Sequence, residues 1–168
     1  MGEKRPSFEE YLSENGTLTY SNVGVSMMPL LKQGRDLFTL TRLEDGQRPE
    51  KYDTVLYRRP PGKYVLHRVI KVLPDGYVIR GDNCIRKEFG VADNDMIAVM
   101  TSFVHRGREH SVNEKGYRFY SRFIVFIHPV VSLKLRLRSF AGRVYRKLFK
   151  KKHAAPDRSE DRGSGGEK

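Results

Sequence analysis

Residues 53–81 read DTVLYRRPPGKYVLHRVIKVLPDGYVIRG, and no other stretch limits the fold so strongly. Three runs rich in Val, Ile, Leu and Tyr, at 53–59, 63–73 and 77–81, are divided by Pro-Pro-Gly and Pro-Asp-Gly. β-branched and aromatic residues suit a pleated, half-buried surface, while Pro, Asp and Gly supply the backbone angles of tight turns. The pattern predicts an antiparallel meander. Further strands are expected at 17–24 (TLTYSNVG), 35–43 (RDLFTLTRL) and 96–105 (MIAVMTSFVH), the last followed by a turn at RGRE. EDGQRPEKY reads as a loop, and MPLLKQG as one helical turn ended by Gly34. Ahead of the strands, Ser7 and Glu10 form an S-x-x-E capping box for a short helix over 7–15, with Gly16 at its C-terminus. The expected class is mainly β, a single antiparallel domain with helical segments at its two ends.

The 168 residues divide into an N-terminal helix (1–16), a β-domain (17–115), a basic amphipathic segment (116–152) and a polar tail (153–168). The net charge of +12 belongs mostly to one of these. Lys134, Arg136, Arg138, Arg143, Arg146, Lys147, Lys150, Lys151 and Lys152 fall between Ser132 and Ala155 with no acid among them, leaving +3 for the remainder. Leu133, Leu137, Phe140, Ala141, Val144 and Leu148 recur there at helical spacing. A basic amphipathic helix suits an anionic membrane surface, and its apolar stripe favours that partner over nucleic acid. The longest apolar run, FIVFIHPVVSL, is shorter than the roughly 20 residues that span a bilayer. The N-terminus has no apolar secretory core, and Cys84 is the single cysteine. These features predict a cytoplasmic chain, peripheral at the membrane, with no metal or cofactor.

GVSMMPLL, residues 24–31, places a serine between a flexible glycine and a Met-Met-Pro corner. A hydroxyl there is a helix cap or a nucleophile, and a nucleophile needs a base. His67 lies inside the strand at 63–73, sharing a face with Val65 and Val69. Alone it reads as a structural histidine or as that base. Asp82, in the RGDNC turn that ends the next strand, is either an ordinary turn residue or the acid that orients His67.

Together GVSMMP, DTVLYRRP, LHRVI and GDN, in this order over residues 18–105, resemble the signal peptidase and LexA-like serine peptidase superfamily. Most bacterial signal peptidases place a lysine where this chain has His67, so the resemblance is to the histidine branch of the endoplasmic reticulum and spore formers, here without a transmembrane anchor. It implies Ser26 as nucleophile, His67 as general base, Asp82 as supporting acid and Glu88 as a second acid, with Asp93 and Asp95 as rivals to Glu88. Gly24 and Pro29 would meet the substrate, an extended peptide with small residues at the scissile bond, and Met27 and Met28 either line its pocket or anchor the corner in the core. Several relatives carry an oxyanion-donating serine at the position of Gly24; the Ser26 N–H is the donor that remains. The expected activity is serine endopeptidase processing of a leader-bearing or signal-peptide-like precursor. The alternative is an inactive peptidase-like module that binds membrane or nucleic acid through its C-terminal segment.

Overall fold

The structure, a computed structural model, describes residues 6–150, with side chains described through residue 141. The first helix, α1 (Phe8–Asn15), is capped as its sequence predicts. Ser7 Oγ accepts from the Glu10 N–H, Glu10 reaches back to the Ser7 N–H, and the Gly16 N–H closes onto Leu12. Eight strands follow: β1 (Thr17–Ser21), β2 (Leu37–Arg42), β3 (Thr54–Arg59), β4 (Lys63–Leu73), β5 (Gly76–Arg80), β6 (Glu88–Val91), β7 (Met96–His105) and β8 (Arg108–Ser111). All pair antiparallel in one sheet of order β1-β2-β7-β3-β4-β5-β6. The long β7 leaves β3 after Val99 and pairs with β8 from Ser102 onward.

The sheet is apolar on both faces. Leu56, Leu66, Ala98 and Met100 point into one cluster with Leu12, Met27, Leu31 and Phe103. Their strand neighbours Val55, Tyr57 and Val69 point into the other, with Tyr77, Ile79 and Val91. This two-residue alternation sends His67 and Arg68 to opposite faces.

Two differences from the sequence reading concern short strands. Residues 88–91 and 108–111, to which the sequence reading assigns no strand, form β6 and β8. Each has four residues, one interrupted by Gly90 and the other polar throughout, too short to show a period. The MPLLKQG stretch is a chain of turns with a cis Met28–Pro29 bond, in place of the expected helical turn.

Two helices follow the sheet, α2 (Lys115–Phe126) and α3 (His128–Lys150), divided at Ile127 just before His128-Pro129. Tyr117, Ser121 and Ile124 of α2 are buried, and Tyr117 joins the first apolar cluster. The compact unit that holds the sheet therefore runs to Leu133, past the boundary expected at 115, and Lys134 begins a second unit. Among the described residues, no helix is long and apolar enough to cross a membrane. Lys151, Lys152 and the tail expected at 153–168 lie outside the described residues.

Candidate active site

The corner that carries Ser26 is held against the loop after β5. Asn83 N–H donates to the Ser26 carbonyl at 2.8 Å, and Asn83 Nδ2 donates to the Val25 carbonyl at 3.1 Å. Gly81 lies at the junction. A methyl group there would sit 2.8 Å from the Ser26 carbonyl oxygen, from His67 Nε2 and from Cys84 Sγ. Any side chain at position 81 would therefore push these three groups apart, which explains the glycine by close approach. Gly24 has a different reason: its φ is 91°, a region open to glycine, and the space beside it is empty. The Ser26 N–H makes no hydrogen bond among the described residues and remains available as a donor.

His67 is buried on β4 and is bound from its Nδ1 side. Glu88 Oε1, on β6, lies 3.1 Å from Nδ1. A carboxylate only accepts, so Nδ1 carries the proton and Nε2 presents its lone pair toward the Ser26 corner. Glu88 is fixed in turn by Tyr57 Oη, which donates to Oε2 at 2.6 Å, and by a bidentate bond from Arg59. Burial pushes the Glu88 carboxyl up, but the hydrogen bonds from Arg59 and Tyr57 outweigh it and hold it below its ordinary range. Burial also lowers the pKa of His67, against the pull of the Glu88 carboxylate, so the imidazole is neutral at neutral pH. A neutral, oriented imidazole whose Nε2 meets only a thiol is chemically able to accept a proton.

The expected acid is elsewhere. Asp82 faces away from His67 and forms a bidentate ion pair with Arg68 at 2.8 Å on both oxygens, and it accepts from Tyr120 Oη at 3.0 Å. Arg68 is fully buried, so a carboxylate aimed at it satisfies the costlier demand. The orienting position falls to Glu88, named second by the resemblance. Its rivals are occupied: Asp93 binds Arg48 and Tyr77, and Asp95 accepts from the Ala92 N–H. Lys63 and Lys71, the lysines on the same strand, are exposed.

Of the residues expected to meet substrate, Met27 is 1% exposed and belongs to the core, which corrects its assignment as a contact. Met28 is half-buried, and the exposed Pro29 borders a cavity of about 330 Å³ lined also by Leu30, Phe103, Tyr117 and Tyr120.

Cys84 was given no chemistry on sequence grounds, yet its Sγ lies 4.0 Å from His67 Nε2. Burial raises the thiol pKa, so it is a protonated neighbour that points a weak donor at the base. Its position, two residues after Asp82 in a turn, was the available signal. No hydrogen bond joins Ser26 Oγ to His67 Nε2 among the described residues. Comparisons with protein-family models, with curated proteins and with solved structures found no match.

Proposed function

We propose that this chain is a serine endopeptidase of the signal peptidase and LexA-like type, working through Ser26 and His67. The observation that carries the reading is the meeting at Gly81 of the Ser26 main chain with the unprotonated Nε2 of a histidine whose other nitrogen is held by Glu88. His67 takes the Ser26 proton as Oγ attacks the scissile carbonyl, and the imidazolium so formed is stabilised by Glu88. The Ser26 N–H faces the developing oxyanion. His67 then protonates the leaving amine, and a water activated by the same imidazole releases the acyl group. Attack requires Ser26 Oγ within hydrogen-bond reach of Nε2, and such bonds are often long in unliganded sites and tighten with substrate. The substrate is an extended peptide laid past Gly24, where there is no side chain to obstruct it.

Incubation with peptides bearing small residues at the cleavage position tests this. Cleavage that disappears in Ser26→Ala at unchanged thermal stability is the expected result. Undiminished cleavage by Ser26→Ala contradicts it.

One observation favours a second nucleophile within the same reaction: Cys84 Sγ already lies beside Nε2. Its raised pKa opposes thiolate formation, which places serine ahead. Loss of cleavage in Cys84→Ser with retention in Ser26→Ala is the outcome that reverses the order.

A further inference from the structure

α2 and α3 each carry large apolar side chains that no described residue covers. Phe119, Phe123, Phe126, Val130, Leu133, Leu137 and Phe140 are all exposed, Phe119 by 71% and Phe126 by 84%. Their spacing alternates between four and three residues without a break, so on each helix they form one stripe. Every charged residue from Lys115 to Lys152 is Lys or Arg. Arg118, Arg122, Lys134, Arg136 and Arg138 are exposed beside the stripe.

The opposite side of these helices is bonded to the loop that carries the candidate site. Tyr120 Oη donates to Asp82, one residue from Gly81. His128 Nε2 donates to the Cys84 carbonyl at 2.7 Å, and Ser132 Oγ donates to its Nδ1 at 3.0 Å. Tyr117 Oη joins Thr54 and Arg68. The exposed stripe is thus mechanically continuous with the GDNC turn.

We propose that α2 and α3 are a docking surface for an anionic lipid bilayer and that they hold the Ser26 site beside it. Apolar residues on one side of a helix, flanked only by cations, match the headgroup and acyl boundary of such a membrane. Charge decides against a second copy of this chain, because pairing two stripes would press cation rows together. It does not by itself decide against nucleic acid, but the exposed aliphatic and phenyl groups along each helix have no use along a phosphate backbone. Resting on the peptidase reading, the docking selects precursors whose cleavage site lies close to a bilayer.

The test is co-sedimentation of the full chain with phosphatidylglycerol and with phosphatidylcholine vesicles across a salt series, in parallel with a Phe126→Glu/Leu133→Glu variant. Both positions are exposed, so the variant keeps its fold. Binding to the anionic vesicles, weakened by salt and roughly tenfold or more by the double substitution, is expected. A Lys134→Gln/Arg136→Gln/Arg138→Gln variant should weaken binding at low salt. Equal sedimentation with both lipids, no effect of the double substitution, displacement by duplex DNA, or a dimer that the double substitution dissolves would each overturn the proposal. Ser26→Ala should sediment as the parent does, so failure to bind vesicles is separable from failure to cleave.

Discussion

His67 and Arg68 are adjacent on β4, and each is buried in a polar network with a carboxylate and a tyrosine, yet the two networks are built for different ends. On the Arg68 side the charged pair is matched. The guanidinium meets both oxygens of Asp82, the Tyr52 carbonyl and Tyr117 Oη, and it stands over the rings of Tyr117 and Tyr120. On the His67 side, Glu88, Arg59 and Tyr57 satisfy Nδ1 and leave Nε2 with only a weak thiol contact at 4.0 Å. A closed network holds structure, and one with an unsatisfied, oriented lone pair is equipped for proton transfer. The acid within GDN serves the first network, and the acid six residues later serves the second.

The sharpest break between the two sides is an activity lost without loss of fold. His67→Ala should reduce cleavage by about 10⁴-fold or more, as Ser26→Ala does, because members of one catalytic unit fail together. Retained cleavage in His67→Ala, measured on the same peptide, removes His67 from the chemistry.

The opposite pattern is expected across the strand. Asp82→Ala leaves Arg68 buried without its counter-ion and should cost about 3–5 kcal/mol in denaturant unfolding. A stable Asp82→Ala protein with abolished cleavage would return Asp82 to the supporting role that we assign to Glu88.

The long strands are legible in the sequence, and the division between the two networks is not. The bounds of β4 and β7 follow from long β-branched runs, and those of α1 from its capping box, since each signal is local. The four-residue β6 carries Glu88 but has no period of its own, so its pairing with β5 emerges only in three dimensions. The same holds for Asp82. GDN is legible as a turn, but the side chain's direction depends on a buried arginine 14 residues earlier that it pairs with on both oxygens. Met27 looked like a pocket residue because the sequence around Ser26 does not tell a core anchor from a contact.

A finer separation comes from pH. Protonated His67 cannot act as a base, and burial lowers its pKa, so cleavage should rise with pH through a midpoint below about 6.5. The Glu88 carboxylate favours the imidazolium. Glu88→Gln should therefore move that midpoint to still lower pH while reducing the plateau rate by about 10²-fold. A midpoint displaced upward in Glu88→Gln contradicts the pairing.

The smallest effect belongs to Cys84. Its thiol fills space beside Nε2 without a required bond, so Cys84→Ser should change kcat/KM by no more than about 2-fold. Alkylation of Cys84 in the native protein should instead block cleavage, because the added group occupies the space around Gly81 where Ser26 and His67 meet.

The most direct test of the central assignment is reaction of the native full-length chain with a fluorophosphonate, followed by peptide mass mapping. The expected result is a single adduct on Ser26 that disappears in His67→Ala and persists in Cys84→Ser. An adduct on another residue, or labelling of Ser26 at the same rate when His67 is alanine, would contradict it.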